Sequence, residues 1–402
     1  MTENTFYGLG IAPGLIDVIN SLKFTVPTPI QHKAIPPAIE GKDIIGIAQT
    51  GTGKTLAFGI PMVQKIAASN GKRKGLILVP TRELAIQVNE TMVKLAKPFR
   101  MTTSVLIGGE SMFAQLLSLR QRPSIIIATP GRLNDHLQQK KLRIDDVAVL
   151  VLDEADRMLD MGFLPQIRNI LDTTPKDRQT MLFSATIPKS VISIATQYMR
   201  MPLTTEIAPS GTAPEIVSQE MFVVKKESKN HVLGELLKQY KGSILLFVRT
   251  RWAAARVAKQ IRSMGHAVAE IHSDRNLSQR KDALRGFKTG QYRVLVATDI
   301  AARGIDVTGI ELVINYDLPD DPENYVHRIG RTGRAGVEGH AITLATPDQG
   351  RDIKKIQSIL KVTIPVAEHP SFQSQKFIPT PSGTRSFFPP GKRKGARRPI
   401  FS

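Results

Sequence analysis

Short aliphatic runs without polar alternation punctuate the whole chain, and they constrain its fold more than any other feature. In the first half they read DIIGIA (43–48), GLILVP (75–80), TSVLIG (103–108), SIIIAT (124–129), AVLVLD (148–153) and TMLFSA (180–185). In the second half they read SILLFV (243–248), AVAEIH (267–272), YRVLVAT (292–298), LVINY (312–316) and HAITLA (340–345). A strand with one wet face alternates apolar and polar residues. A run that is apolar throughout is buried on both faces, as in a parallel sheet covered by helices. Helical patterns fill the gaps between the runs. Strand–helix alternation of this kind implies βαβ units, so the expected fold is α/β, with two doubly wound, mainly parallel sheets flanked by helices.

The break between the two sheets falls in MPLTTEIAPSGTAPEIVSQ (201–219), where Pro202, Pro209, Pro214 and Gly211 suit a linker. The expected division is a first domain over 1–205, a linker over 206–218 and a second domain over 219–368. At 402 residues, each half is long enough to bury its own core. From His369 to Ser402 periodicity ends. Pro, Ser, Gly, Lys and Arg dominate and no acidic residue occurs, so a disordered basic tail is expected over 369–402.

Composition excludes several chemistries. Without cysteine there is no disulfide, thiol nucleophile or iron–sulfur cluster. MTENTFYGLG carries no signal-peptide pattern and no apolar stretch reaches membrane-spanning length, so a cytosolic protein is expected. The net charge of +20 predicts attraction to a polyanion, most simply nucleic acid. Charge alone leaves open a basic protein kept soluble by self-repulsion.

Two motifs carry chemistry. AQTGTGKT (48–55) follows an expected strand and opens an expected helix, the context a phosphate-binding loop requires. Gly51 and Gly53 let the backbone aim N–H groups at phosphate oxygens, and the helix N-terminus adds positive potential. Lys54 can reach the β- and γ-phosphates, and the Thr55 hydroxyl can ligate Mg²⁺. Ala48 stands where the general pattern has glycine. In VLVLDEAD (149–156), a buried strand ends in Asp153 and Glu154. Asp153 is placed to hold Mg²⁺ through water, and Glu154 to orient or deprotonate an attacking water. These two motifs establish only a nucleoside triphosphatase.

Further segments narrow the reading. Phe6 and PTPIQ (27–31), PTRELA (80–85), GG (108–109), TPGR (129–132), the literal Asp-Glu-Ala-Asp (153–156), SAT (184–186), ATDIAARGID (297–306) and YVHRIGRTGR (325–334) follow one another in order. Together they resemble the motif set of DEAD-box ATP-dependent RNA helicases, over residues 6 to 334. The short N-terminus and basic C-terminal tail resemble bacterial members.

The resemblance implies two tandem RecA-like domains that close over ATP, Mg²⁺ and single-stranded RNA, with ribosomal or messenger RNA as the setting. It implies that Gln31 reads the adenine edge and Phe6 stacks on the base. Gly51, Thr52, Gly53, Lys54 and Thr55 would cradle the triphosphate, and Asp306 would contact ATP from the second domain. Arg82, Gly109, Thr129, Arg132, Thr250 and Thr298 would hold the RNA sugar–phosphate backbone, which positions a strand without reading its sequence. Ser184 and Thr186 would couple hydrolysis to strand release, with Arg303 and His327 linking the domains. Arg328, Arg331 and Arg334 recur every three residues and could present a row of guanidinium groups to one target, with Arg331 and Arg334 approaching the γ-phosphate. The second domain has no phosphate loop of its own, so it would complete the first domain's site only on closure.

Two features depart from or add to this pattern. Leu277 stands where the family's Gln-x-x-Arg would begin, with Arg280 at its end. Trp252, the only tryptophan, is expected to pack its helix and not to stack on a base. Two other readings use the same residues differently. A DNA translocase of the wider superfamily would share the phosphate loop and arginine row but would not need Gln31 or the literal tetrad. A non-catalytic RNA clamp would not need Lys54, Glu154, Arg331 and Arg334.

The tail gives a first prediction. Its seven Lys and Arg residues would each displace counterions from RNA, contributing a salt slope of about −0.7 per phosphate contact on a single strand. Truncation of the tail should weaken RNA binding and flatten the plot of log affinity against log salt, with ATP affinity unchanged. An unaltered slope would show that the tail does not touch RNA.

Overall fold

A computed structural model describes residues 5–49, 51–207, 217–302, 307, 309–333 and 338–378. The first sheet comprises β1 (Ile44–Ile47), β2 (Lys74–Leu78), β3 (Thr103–Leu106), β4 (Ile125–Ala128), β5 (Val147–Asp153), β6 (Gln179–Ser184) and β7 (Leu203–Glu206), in the order β3-β4-β2-β5-β6-β1-β7. The second comprises β8 (Val217–Val223), β9 (Ser243–Val248), β10 (Val268–Ile271), β11 (Val294–Thr298), β12 (Ile310–Asn315) and β13 (Gly339–Ala345), in the order β10-β11-β9-β12-β13-β8. Every strand pair in both sheets is parallel.

The aliphatic runs sit where their composition places them. Ile125, Ile126, Ile127 and Ala128 of β4 are wholly covered, and alternate residues feed two apolar layers, one on each face of the sheet. The second sheet is likewise sandwiched between two layers. A fully buried Ile, Leu or Phe contributes about 1.5–3 kcal/mol relative to exposure, so each domain has an ample core of its own.

Two strands lie where a linker was expected. β7 closes one edge of the first sheet against β1, and β8 closes one edge of the second against β13. The connection therefore spans only the residues between Glu206 and Val217, and residues 208–216 lie outside those described. The C-terminal boundary also moves. His369–Ile378, expected as the start of a disordered tail, lies on the second domain. Phe372 meets Phe222 edge-on at 5.0 Å and His369 stacks on Phe372 at 4.4 Å. The Gln375 amide donates to the Val223 carbonyl and the Ile378 amide to that of Pro347. A truncation that spares the fold therefore begins after Ile378. Residues 379–402 lie outside the described structure.

The two domains touch. Leu277, at the start of helix Leu277–Lys288 of the second domain, is 7% exposed and packs into an apolar cluster of the first. One turn on, Arg280 forms an ion pair with Glu83 at 2.9 Å, and Lys281 pairs with Glu110 at 3.4 Å. The position that departs from the family's Gln thus serves as an apolar contact across the cleft. Among the described residues, no helix is long and apolar enough to cross a membrane.

Candidate functional site

In parallel α/β sheets the loops beyond the strands' carboxyl ends form the binding crevice. The phosphate loop follows β1, Arg82 follows β2, Gly109 follows β3 and Thr129 follows β4. Asp153 ends β5 and Ser184 ends β6. In the second domain Thr250 follows β9 and Thr298 ends β11. The site residues therefore gather on two facing rims although they are spread over the sequence.

Gly51 and Gly53 take left-handed backbone, with φ of +87° and +89°. A side chain at Gly53 has no room, because a Cβ there would meet Gln31 Nε2 at 2.3 Å. Gln31 is nearly buried. Its Oε1 accepts from the Thr28 amide at 2.9 Å, closing a capping box on helix Pro29–Ile39, and its Nε2 donates to the Gly53 carbonyl at 3.0 Å. The proposed adenine reader is thus built into the loop that cradles phosphate. Lys54 opens helix Lys54–Ala68 and donates to the Ala48 carbonyl at 3.0 Å, and Thr52 Oγ1 donates to the Gln49 carbonyl at 2.7 Å. Thr55 is the helix's second residue. Phe6 is a correction. It is 3% exposed within the first domain's core, so the expected stacking face is covered by protein.

The tetrad forms the centre. Asp153 is buried, and desolvation pushes its carboxyl up to about 6, despite the opposing pull of Lys54. Glu154 sits at φ +53°, a left-handed conformation that costs a non-glycine residue about 1–3 kcal/mol and that marks functional sites. Burial works against its charge, but Arg157, Lys54 and Arg331 together hold its carboxyl below the usual range. Arg157 Nη1 donates to Glu154 Oε2 at 3.3 Å, while Glu154 Oε1 is buried with no partner among the described residues. Asp156 Oδ2 accepts from the amides of Ala185 (3.1 Å) and Thr186 (2.8 Å) and from Thr186 Oγ1 (2.9 Å). Ser184 Oγ accepts from the Asp156 amide at 3.2 Å. Thr186 and Ser184, expected as couplers, are therefore clasped by the last residue of the tetrad. Asp156 and Arg157 were not singled out from the sequence, although Asp156's place in the literal tetrad was a signal for it.

These residues fit a nucleoside triphosphate with a divalent cation. A carboxyl whose charged form is penalised by burial calls for a cation, and a Glu154 oxygen without a partner among the described residues calls for a donor such as water. Among the described residues no cluster of three or more His, Cys, Asp or Glu side chains could cage a metal alone.

The second domain closes the site. Arg331 is 2% exposed, donates from Nε to the His327 carbonyl at 3.3 Å, and contributes to the field on Glu154. Burial holds His327 well below its ordinary pKa, reinforced by Arg157 and opposed by Glu154. His327 is thus a neutral residue at the boundary. A Cβ on neighbouring Gly330 would lie 3.7 Å from Gln49 Oε1 of the phosphate loop. Arg328 departs from the expected row. Its guanidinium grips both Asp299 oxygens at 2.5 and 2.7 Å, reaches Asn315 and the Asp317 carbonyl, and lies over the Phe247 ring. Its guanidinium is committed to bracing the second domain. Arg303, Asp306 and Arg334 lie outside the described residues.

The residues expected to hold RNA converge on the first domain's rim. A Cβ on Gly109, at φ +79°, would strike Arg82 Nη1 at 2.2 Å, so only glycine admits this guanidinium. Arg132 Nη1 donates to the Glu110 carbonyl at 3.0 Å, and Thr129 begins the same short helix. In the second domain Thr250 Oγ1 accepts from the Ala253 amide at 3.1 Å, and Thr298 pairs in register with Val248. Trp252 is a second correction. It is 73% exposed, and its helix, Arg251–Ser263, buries Ala254, Val257, Ala258 and Ile261 instead.

A nucleotide-gripping loop, a buried Asp-Glu pair and an arginine delivered from a second parallel-sheet domain define a two-domain nucleoside triphosphatase. The family models agree. Residues 28–194 match the DEAD/DEAH box helicase model and residues 228–336 the helicase conserved C-terminal domain. The chain is 42% identical over 358 residues to the DEAD-box ATP-dependent RNA helicase CshA of Bacillus cereus (strain ATCC 10987 / NRS 248), covering 89% of this chain and 68% of that one. It is 43% identical over 361 residues to the CshA of Geobacillus kaustophilus, covering 89% and 76%. This chain belongs to the DEAD-box ATP-dependent RNA helicase family. It superposes on S. cerevisiae Dbp5 bound to RNA and ADP BeF3 with a TM-score of 0.82 and 31% identity, covering 90% of this chain and 95% of that one. For Mss116 bound to ssRNA and UDP-BeF the TM-score is 0.83 at 27% identity, covering 93% and 79%. The fold is that of two RecA-like domains, and their mutual arrangement matches those complexes over nearly the whole chain.

The elevated Asp153 carboxyl has a thermodynamic consequence. A group that holds its proton more tightly when folded costs stability as pH rises from its unfolded value near 3.8 to its folded value near 6. Without divalent cations, Asp153→Asn should therefore stabilise the fold increasingly across that window, by roughly 1–3 kcal/mol above it. Denaturant titrations at pH 4.5 and 7.5 check this. Equal stabilisation at both pH values would show that the carboxylate is not strained by burial.

Proposed function

We propose that the chain hydrolyses ATP in the cleft between its domains and uses closure to grip and distort a single strand of RNA. The placement of the His327–Arg331 segment against the phosphate loop and Arg157 carries this reading, because it sets the second domain's arginine beside the first domain's Asp-Glu pair. In this scheme Gln31 reads adenine from its place beside the phosphate loop. Gly51, Thr52, Gly53 and Lys54 hold the triphosphate. Thr55 and, through water, Asp153 would hold Mg²⁺, which would supply neutralisation of phosphate charge. Glu154, kept ionised by Arg157 and Arg331, orients the attacking water and accepts its proton. Arg331, with Arg334, stabilises charge developing on the transferred phosphoryl group, and Asp306 contacts the nucleotide from the second domain.

On the other rim Arg82, Gly109, Thr129 and Arg132 face Thr250 and Thr298 across the path of one strand. RNA bound between them is held by its backbone, with the 2′-hydroxyl selecting RNA over DNA. A strand bent to fit both rims cannot remain in a regular duplex, so separation is local. After hydrolysis, Asp156 transmits the change at Glu154 to Ser184 and Thr186. Contacts through His327 and Arg303 then yield, and the domains open. The expected setting is the cytoplasm.

Glu154→Gln tests the scheme. The amide preserves shape but cannot take the proton, so RNA-stimulated turnover should fall about 10²–10⁴-fold. ATP and RNA binding should persist, and RNA release should slow. A variant that turns over ATP at the parent rate would remove Glu154 from the mechanism.

A further inference from the structure

Trp252 is the chain's single tryptophan, and the fold gives it no packing role. We infer that it is a base-stacking platform at the edge of the RNA path, adding one base contact to a track otherwise made to the backbone. This inference rests on the assignment of Thr250 and Thr298 to RNA.

Position is the first ground. Trp252 is the second residue of helix Arg251–Ser263, directly after Thr250, which caps that helix. Helical side chains lean toward the helix N-terminus. The indole therefore leans toward the rim at the carboxyl ends of β9 and β11, where Thr250 follows β9 and Thr298 ends β11.

Preorganisation is the second ground. The Arg251 guanidinium lies over the Trp252 ring at 5.2 Å, and Arg251 is itself pinned by Asp274 at 2.6 Å. One ring face is thus backed by a fixed cation, which restrains the indole, while 73% exposure leaves it open to solvent. A base stacking on the open ring would meet a rigid aromatic surface, with positive charge behind it that favours nearby phosphate.

The surroundings decide what kind of partner fits. A protein-docking face is a contiguous apolar patch. On this helix the other exposed hydrophobic side chain near Trp252 in sequence is Met264, just past the far end and three turns away. A lone aromatic ring among Arg251, Arg256, Lys259 and Arg262 matches a nucleic-acid strand, where each base offers a π-face and each phosphate a charge.

Because Trp252 is unique, its emission reports on the contact directly. The full chain is titrated with single-stranded RNA in the presence of a non-hydrolysable ATP analogue. The emission should be quenched and become less accessible to acrylamide. Trp252→Ala should weaken RNA binding about 5–150-fold, the range expected for one lost base–aromatic stack. Trp252→Phe should recover most of that loss. ATP affinity and maximal turnover at saturating RNA should stay within about twofold, since the ring touches no catalytic group. A strand lacking the bases along this stretch should bind parent and Trp252→Ala alike. Unchanged emission at saturating RNA, or equal RNA affinity of parent and Trp252→Ala, would overturn the inference while leaving RNA-stimulated turnover intact. Loss of RNA stimulation in the parent itself would instead overturn the proposed function.

Discussion

The site depends on one buried carboxylate at the boundary between the two domains. Glu154 is a carboxylate taken out of water, and burial alone would drive it toward its neutral form. Arg157 from its own domain and Arg331 from the other keep it ionised. Lys54 of the phosphate loop acts with them, so most of the charge that holds Glu154 ionised comes from its own domain and Arg331 adds to it from the second. The strained backbone at Glu154, the orphaned Oε1 and the nearly closed environment of His327 all belong to this one centre.

Around it, the molecule separates what must be rigid from what must move. The buried sheets fix the rims. Asp156 locks the strand end at Ser184 and Thr186 to the tetrad through four hydrogen bonds, so a shift at the hydrolytic carboxylate is felt on the next strand. Arg328 commits its guanidinium inside the second domain to Asp299, and Arg331 is the described residue of the arginine series whose charge acts on Glu154. Docking itself rests on modest contacts: Leu277 in the first domain's apolar cluster, Arg280 on Glu83 and Lys281 on Glu110. Exposed pairs such as the last contribute roughly 0–1 kcal/mol. Closure assembled from such contacts can be reversed by ligand turnover.

Much of this was legible in the sequence because the chemistry is local. Uninterrupted aliphatic runs can only be doubly covered strands, and the runs from Asp43 to Ala345 fall on strands of the two sheets. What was not legible depends on tertiary context. β7 and β8 are edge strands carrying Thr204, Glu206, Ser218 and Glu220, so they lack the apolar signature and read as linker. Phe6 is buried in the first domain's core and Trp252 is exposed, the reverse of what was expected, because only the tertiary fold decides which aromatic ring reaches a core. Arg328 and Arg331 share a spacing, but only the positions of Asp299 and Asn315 show that the first turns inward.

The central claim is that Arg331 completes the hydrolytic site from the second domain, and RNA-stimulated turnover of Arg331→Ala tests it most directly. The account predicts a fall of about 10³-fold or more at saturating ATP and RNA, with the variant's ATP affinity changed far less. Turnover within a few-fold of the parent would contradict it, and would mean that Glu154 works without the second domain.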